Sequence, residues 1–228
     1  MLGIIGGLSP YSTILYYKEI VERYYKARGE HPELVIHSVP IQRVQALVRS
    51  GDLEGLGALL SRAARALENH GATHILIAAN TPHIVASRVE ESLGSARFIS
   101  ILDAVWRKLE PLSPGTVGLL ATGATVRYRL YHDYLEPRGV RVVTPPSHMQ
   151  KALDEMISNV ARGMIDTRSR LRLGPVVMSL ISQGAEALIL GCTELPLLMS
   201  GVRISVPVID SLDAHVSMAL GAVLEREK

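Results

Sequence analysis

Cysteine is almost absent from this chain of 228 residues, which contains Cys192 and no second thiol. A single cysteine cannot form an intrachain disulfide or a cysteine-rich metal site, so the thiol is structural, reactive or incidental. Aromatic side chains are also scarce, at 4% of the residues. The sequence therefore does not indicate the stacking platforms on which nucleic-acid bases are bound.

Neither an excess of one charge nor a long apolar run is present. The 24 basic and 22 acidic residues are spread along the whole length and give a net charge of +2, which excludes a basic tract for nucleic acid or an anionic membrane. No uninterrupted apolar stretch approaches the roughly 20 residues of a membrane span, and the first residues carry no basic leader. We expect a cytoplasmic protein with small-molecule partners.

Several enzyme motifs are missing as well. The chain has no H-E-x-x-H, no G-x-x-x-x-G-K-[ST] and no G-x-S-x-G, and Gly6-Gly7 lacks the remaining spacing of a dinucleotide fingerprint. The sequence therefore gives no motif that indicates zinc hydrolysis, P-loop phosphoryl transfer, α/β-hydrolase chemistry or dinucleotide binding. The simplest remaining site uses no metal and no cofactor.

What the sequence does contain is an alternation of short apolar runs with amphipathic stretches of helical length. This pattern predicts an α/β fold of parallel sheets with helices on both faces. The predicted strands are Leu2–Ile5, Leu34–Val39, His74–Ala78, Phe98–Ile101, Thr116–Leu120, Val140–Val143, Ala187–Leu190 and Val206–Ile209. The predicted helices are Tyr11–Ala27, Leu53–Glu68, His83–Glu91, Asp103–Leu109, Val126–Leu135, Gln150–Arg162, Arg168–Ser182 and Leu212–Glu227.

The order of these segments repeats. The apolar run that ends at Ala79 resembles the run that ends at Cys192, 113 residues later, and the run at Gly3 resembles the run at Gly118, 115 residues later. We therefore predict two pseudo-symmetric, doubly wound lobes with an active-site cleft between them. The predicted lobes are residues 1–98 with 206–228, and residues 99–205, so that the final strand and helix return to the first lobe.

Polar residues follow the predicted strands, where parallel sheets bind their ligands. Gly7 and Ser9 follow the first strand in a tight turn with exposed N–H groups. Asn80 and Thr81 follow the third strand, Thr122 and Thr125 the fifth, and Cys192, Thr193 and Glu194 the seventh. Each of these hydroxyls and amides is either a helix cap or a substrate contact.

Cys192 admits two readings. Free cysteines are often inert and buried, but this one stands after a strand, where the N–H groups of the next turn can lower a thiol pKa from about 8.5 towards neutrality. Thr193 and Glu194 are either capping residues or part of a carboxylate cradle.

Three further residues remain open on sequence alone. His83 is a partner for a substrate carboxylate, a proton donor, or a surface or satisfied core residue. Arg43, in a proline-containing loop, and Arg162, at a helix end, are solvated charges or bidentate carboxylate ligands.

Five segments in the same order resemble the aspartate/glutamate racemase family. They are Gly6-Gly7-Leu8-Ser9-Pro10 with Thr13, Asn80-Thr81 with His83, Leu119-Leu120-Ala121-Thr122 with Thr125, Gly191-Cys192-Thr193-Glu194-Leu195-Pro196, and Pro207-Val208-Ile209-Asp210-Ser211 with His215. The resemblance implies two pseudo-symmetric α/β lobes and racemisation without pyridoxal phosphate, commonly in a homodimer. One cysteine from each lobe then works on opposite faces of the substrate Cα.

The second family cysteine matches Cys192, whereas Ala79 stands where typical members have the first. The resemblance implies that the amino acid is held by Asn80, Thr81, Thr122, Thr125 and Thr193, with Arg43 and Arg162 on the side-chain carboxylate of an acidic substrate. Because an alanine methyl group transfers no proton, His83 is the remaining substitute for the lost base. Two alternatives stand beside a racemase: a single-cysteine decarboxylase of substituted malonates, and a non-catalytic protein that binds acidic amino acids.

Overall fold

A computed structural model describes residues 1–162, 164, 167–199, 202 and 204–224, with the backbone alone for residues 167–171. The chain divides into two units. Unit 1 comprises Met1–Ala104 and His215–Lys228, and unit 2 comprises Val105–Ala214.

Unit 1 contains a parallel sheet of four strands in the order β2-β1-β3-β4. Leu2, Ile4 and Ile5 of the first strand are all buried, as expected for a parallel strand that is covered on both faces. The elements are β1 (Leu2–Gly6), α1 (Pro10–Arg28), β2 (Leu34–Ser38), α2 (Ile41–Ser50), α3 (Leu53–Asn69), β3 (His74–Ile77), α4 (Ala86–Glu91), β4 (Arg97–Ile99) and α5 (Ile101–Leu109), which continues into unit 2.

Unit 2 contains a second parallel sheet, in the order β6-β5-β7-β8. Its central strands are again buried along their whole length. The elements are β5 (Thr116–Ala121), α6 (Gly123–Arg127), α7 (Leu130–Leu135), β6 (Arg141–Val143), α8 (Ser147–Ala161), α9 (Thr167–Ser182), β7 (Ala187–Gly191), β8 (Val208–Asp210) and α10 (Ser211–Leu224), which continues into unit 1.

The predicted α/β class with parallel sheets is confirmed. Both sheets have the same strand order, with the first and third strands of each unit as central neighbours. None of the described helices has the length and apolarity to cross a lipid bilayer.

The last strand lies in a different unit from the one predicted. Residues 206–228 were assigned to the N-terminal lobe, but Val208 pairs with Leu188, so β8 extends the second sheet. Only α10 returns, and the chain re-enters unit 1 at His215. The predicted end of this helix, Glu227, lies outside the described residues.

One helix was missed altogether. The segment after Pro40 was expected to be a loop, but residues 41–50 form α2, which buries Val44 and Val48 and ends at Gly51 with φ 76°. Four-residue spacing of two valines is a weak helical signal, and Gly51 supplies the left-handed cap.

Two predicted helices are each divided into two pieces. Residues 81–85 form a 3₁₀ helix before α4 begins, because Pro82 opens a tight turn there. The helix predicted over 126–135 is interrupted at Arg129, which adopts φ 52° between α6 and α7.

Glu68, at the end of α3, holds the loop that leads into β4. Its carboxylate accepts hydrogen bonds from the backbone N–H groups of Gly94, Ser95 and Ala96, at distances between 2.7 and 3.2 Å. These bonds lower the pKa of Glu68 to about 2.

The Glu68→Gln substitution is expected to lower the free energy of unfolding by about 1 kcal/mol, a value reduced for solvent screening at this accessible site. Because the folded-state pKa is depressed, the contribution is present above pH 4.5 and is lost as pH falls towards 2. Urea unfolding at pH 7 and pH 3 measures it. A gap between parent and variant that is as large at pH 3 as at pH 7 would contradict the carboxylate clamp, and Glu54→Gln, at the start of the same helix, is the control.

Candidate active site

The thiol predicted to be reactive lies at the carboxyl end of β7. Strands β5 and β7 are neighbours in which Ala121 pairs with Gly191, so Thr122 and Cys192 follow their strands at the same edge of the sheet. The space beside Gly191 is tight, since a Cβ at this position would lie 2.9 Å from Leu119 Cδ1 and 3.2 Å from Cε2 of the buried ring of Tyr131.

Cys192 is hydrogen-bonded to a carboxylate two residues ahead. Its Sγ donates to Glu194 Oε2 over 3.0 Å, and the Thr193 hydroxyl donates to the same oxygen over 2.9 Å. All three residues are buried. The side chain of Glu194 makes no capping bond to the 3₁₀ helix that follows it, and Thr193 serves the carboxylate instead of a helix end. Neither side chain therefore caps this helix.

The expectation of a lowered thiol pKa is wrong. Burial raises the pKa of Cys192 well above its usual range, and the charge of Glu194 together with its hydrogen bond raises it further. One backbone N–H, that of Glu194, acts in the opposite direction and is outweighed. At neutral pH Cys192 is a protonated thiol whose proton points at a carboxylate.

A second carboxylate, that of Asp154 on α8, lies close enough to raise the same thiol's pKa. Its Oδ1 accepts from the backbone N–H of Gly123, over 2.7 Å, and from Gln150 Nε2, over 3.0 Å. Gln150 Nε2 also donates to the carbonyl of Ala121, over 2.9 Å. The helix α8 is thereby bound to the end of β5.

The hydroxyls after β5 form a cap. Thr122 Oγ1 accepts from the backbone N–H of Thr125, over 3.3 Å, and lies 3.0 Å from the Thr125 hydroxyl. Thr125 is fully buried. Capping of α6 is confirmed, and contact of either threonine with a substrate stays a prediction.

In unit 1 the turn after β1 is closed by its own side chains. Gly7 has φ 78°, and a Cβ there would lie 2.4 Å from Val39 O. Its N–H donates to Thr13 Oγ1 over 2.8 Å. The prediction of an exposed N–H group is therefore wrong at Gly7. Ser9 is buried and caps α1 by accepting from the Ser12 N–H.

Ala79 follows β3, the central neighbour of β1. Its N–H donates to Ile77 O, and its side chain is almost fully buried. Asn80, which is also buried, precedes the 3₁₀ helix that starts at Thr81. Substrate contact by Asn80 and Thr81 stays a prediction.

The structure contradicts His83 as a substitute base. Its Nε2 accepts from the backbone N–H of Ile101 over 3.1 Å, which leaves the proton on Nδ1, donated to Ala79 O over 2.8 Å. Burial, together with the neighbouring His215, lowers the pKa of His83 to about 3. Both nitrogens are occupied by backbone, so among the interpretations left open by the sequence His83 is the satisfied core histidine.

The two arginines predicted to bind a side-chain carboxylate are exposed. Arg43 stands on α2 rather than in a loop. Arg162 folds back onto the end of its own helix, donating from Nε to Ser158 O and from a terminal nitrogen to Asn159 Oδ1. The solvated-charge interpretation fits Arg162, and a ligand contact by Arg43 stays a prediction.

The part of the chain that the structure describes contains no group of three or more His, Cys, Asp or Glu side chains arranged to hold a metal ion.

Comparison with known proteins gives the family. The profile of the Asp/Glu/hydantoin racemases matches residues 5–219. The chain belongs to this family.

Three racemase relatives indicate how far the likeness extends. A broad specificity amino-acid racemase of Bacillus subtilis, RacX, is 24% identical over 218 residues, which is 92% of each chain. Among solved structures, a candidate Asp/Glu racemase from Yersinia pestis matches with a TM-score of 0.88 and 33% identity, over 98% of both chains. An aspartate racemase homologue from Pyrococcus horikoshii matches with a TM-score of 0.82, 33% identity and the same coverage.

In this racemase-family chain, sequence reasoning missed Asp154, Gln150 and Tyr131. They lie inside α7 and α8, away from the strand ends that the motifs mark. The four-residue spacing of Gln150 and Asp154 places both on one helix face, and this spacing is the feature of the sequence that could have identified them.

Proposed function

We propose that the protein is a cofactor-independent, racemase-like enzyme that transfers the Cα proton of an amino acid through Cys192. The observation that carries this proposal is the buried bond from Cys192 Sγ to Glu194 Oε2, 3.0 Å long, at the carboxyl end of a central strand. Family membership and relatives with racemase names support it. From the resemblance, the proposed substrates are of the aspartate or glutamate type.

The thiol and the carboxylate divide the proton transfer between them. In one direction the S–H bond of Cys192 breaks, its proton joins the substrate carbanion, and the thiolate keeps the electron pair. In the other direction Glu194 first takes the thiol proton, and the resulting thiolate removes the proton from Cα. Because burial holds the thiol protonated, the donor direction needs no prior step.

Full racemisation also needs a group that works on the opposite face of Cα. The resemblance assigns that role to position 79, where the side chain is a methyl group, and His83 is committed to backbone on both nitrogens. We therefore propose that the chain exchanges the Cα proton on one face and racemises slowly.

Exchange of the Cα proton in D₂O is the test. We expect aspartate or glutamate to acquire deuterium with the parent protein, and the Cys192→Ser variant to exchange roughly 10²- to 10⁴-fold more slowly, because it loses a positioned acid–base group. Mass spectrometry of the recovered amino acid measures exchange, and chiral chromatography measures racemisation. Ser179→Ala, a helical hydroxyl bonded to its own backbone, is the control.

Two outcomes would contradict this function. A fully active Cys192→Ser variant would remove the thiol mechanism. Folded parent protein that is stabilised against heat by aspartate or glutamate, yet exchanges neither, would indicate the non-catalytic binding protein.

The protonated thiol favours one second candidate, a decarboxylase of substituted malonates. There carbon dioxide leaves with its bonding electrons remaining on carbon, and the S–H group of Cys192 supplies the proton, so that one thiol suffices. Carbon dioxide release from a substituted malonate, lost in Cys192→Ser and unaccompanied by amino-acid exchange, would select this reaction.

The homodimer implied by the resemblance stays a prediction. Sedimentation equilibrium of the purified chain decides between one and two copies.

A further inference from the structure

Helix α1 carries apolar side chains on two sides. Its inner side is buried and holds Tyr16, Ile20 and Tyr24 at a spacing of four residues. Its outer seam follows alternating spacings of three and four and consists of Tyr11, Ile14, Lys18, Val21 and Tyr25. A surface helix needs one apolar stripe to pack on its own core, and the spacing of the second stripe is the one by which two helices pack together.

The outer seam is open to solvent along most of its length. Val21 is half-buried. The other apolar side chains of the seam, together with the neighbouring Tyr17, are between 47% and 62% exposed. Among the described residues, ten large apolar side chains are exposed, and four of them lie on this one helix. Three of the four are tyrosines, a residue type that is enriched at protein interfaces.

Ile36 extends this apolar area beyond the helix. It lies on β2, an edge strand of the unit 1 sheet, and is 36% exposed. A Cβ at Gly6 would lie 2.6 Å from Thr13 Cγ2 and 3.1 Å from Ile36 Cγ2, so Ile36 adjoins the first turn of α1. Thr13 and Tyr17 are one turn apart on the same side of the helix. The outer seam, Tyr17 and Ile36 therefore form one continuous area, which we call the α1 surface.

The size of the α1 surface matches one side of a dimer interface. A tyrosine buries roughly 150–250 Å² in an interface, so the three half-exposed tyrosines and two isoleucines present roughly 450 Å² of apolar area. One partner in a standard interface buries about 800 Å², of which somewhat more than half is apolar. A patch of this size lies within the range, roughly 300–600 Å², in which the largest patch of a monomer is often functional.

The charges on the α1 surface make it complementary to itself. Lys18 in the seam and Glu22 beside it are one turn apart, and Lys18 Nζ lies 3.9 Å from Glu22 Oε1. Both side chains are more than half exposed, so this pair contributes little within one chain. One charge of each sign leaves the surface neutral, and a two-fold axis through it pairs each charge with its opposite. A partner with a different charge pattern would leave one of the two without a counterpart.

We infer that the α1 surface binds a second copy of this chain, with the two α1 helices antiparallel about a two-fold axis. An axis that crosses the seam between Lys18 and Val21 places Lys18 of each copy beside Glu22 of the partner subunit. The same axis places Ile14 against Tyr25 of the partner subunit. This interface goes beyond the proposed function and is independent of it, because no side chain of the α1 surface takes part in the thiol chemistry.

Sedimentation equilibrium of the full chain at micromolar concentration is the first test. We expect the parent protein to be a dimer and the Ile14→Glu variant to raise the dimer dissociation constant at least about 30-fold, since the change occurs twice in a two-fold interface. Ile14 is exposed, so the fold should survive, which far-ultraviolet circular dichroism checks. The matched control is Met178→Glu on α9, an apolar side chain that is 58% exposed and should leave the dimer intact.

Exchange of the two charges tests the antiparallel arrangement. Lys18→Glu and Glu22→Lys each place like charges at the crossing point, so each variant alone is expected to be mainly monomeric. An equal mixture of the two should form a heterodimer, because every contact between copies then joins opposite charges. Mixing cannot relieve the repulsion that each variant introduces within its own helix, so recovery would report a contact between copies.

Three results would overturn the inference. The first is a folded parent chain that stays monomeric at the highest concentration measured. The second is a dimer that Ile14→Glu leaves unchanged, which would place the interface elsewhere. The third is a mixture of the two charge variants that associates no better than either variant alone.

Discussion

The Ala79→Cys variant is expected to racemise its amino-acid substrate roughly 10²- to 10⁴-fold faster than the parent chain, the range contributed by a positioned acid or base. Ala79 follows β3 at the carboxyl edge of the unit 1 sheet. Its backbone is held independently of its side chain, through Ile77 O and His83 Nδ1. A thiol would add the missing proton carrier without changing those bonds.

Chiral chromatography with both enantiomers of aspartate and glutamate measures this gain. The control is Ala79→Ser, which adds an atom of similar placement whose hydroxyl does not titrate at working pH. The double variant Ala79→Cys with Cys192→Ser should lose the gain. Folded Ala79→Cys protein that racemises no faster than the parent would contradict the role assigned to position 79.

Acidification from pH 7 to pH 4.5 is expected to lower the free energy of unfolding by about 4 kcal/mol, through two buried neutral histidines. His83 bonds Ile101 N–H and Ala79 O, and His215 bonds Ile99 O over 2.8 Å and Tyr16 OH over 2.9 Å. Burial lowers the pKa of His83 to about 3 and that of His215 to about 4. Protonation of either ring in the folded state would place a proton on a nitrogen that already accepts a hydrogen bond.

The sign follows from the direction of both shifts. Unfolded histidine takes up a proton below about pH 6.5, whereas the folded rings do so near pH 3 and 4, so stability is complete above 6.5 and is lost as pH falls. Each ring contributes up to about 1.4 kcal/mol per pH unit in that window. Urea unfolding between pH 7 and pH 4.5 measures the slope.

Variants separate this effect from general acid sensitivity. His215→Gln and His83→Asn are expected to be less stable at pH 7 yet to show a smaller loss on acidification, while His148→Gln, at an exposed position on α8, keeps the parent's slope. If neither buried-site variant folds, imidazole NMR of the parent decides the point. Resonances assigned to His83 and His215 that titrate near pH 6.5 in folded protein would contradict the prediction.

Much of the fold was predictable because parallel strands need apolar residues on both faces. The runs at 2–5, 74–78, 116–120 and 187–190 are such strands, and they became the central pairs of the two sheets. Shorter or broken helices were not predictable: α2 carries few buried positions, and the break at Arg129 is a single backbone angle. No local sequence pattern indicates which of the two sheets β8 joins, and its pairing with β7 was therefore not predictable.

The candidate site divides in the same way. Sequence alone placed Cys192, Thr193 and Glu194 after a strand and marked Ala79 as the position without a thiol. It could not show that Glu194 points at the sulfur, that Asp154 comes from a distant helix, or that His83 is bonded to backbone on both sides. These facts depend on side-chain direction and on contacts between residues far apart in the chain.

The sequence by itself determined the α/β class, the family resemblance and the single thiol, because periodicity and residue identity are local properties. Only the tertiary structure decided the chemical state of that thiol. Desolvation and the charge of a facing carboxylate raise the pKa of Cys192, whereas its place after a strand suggested the reverse. The pKa of a side chain depends on the groups within a few ångströms of it, and the sequence alone does not give those distances.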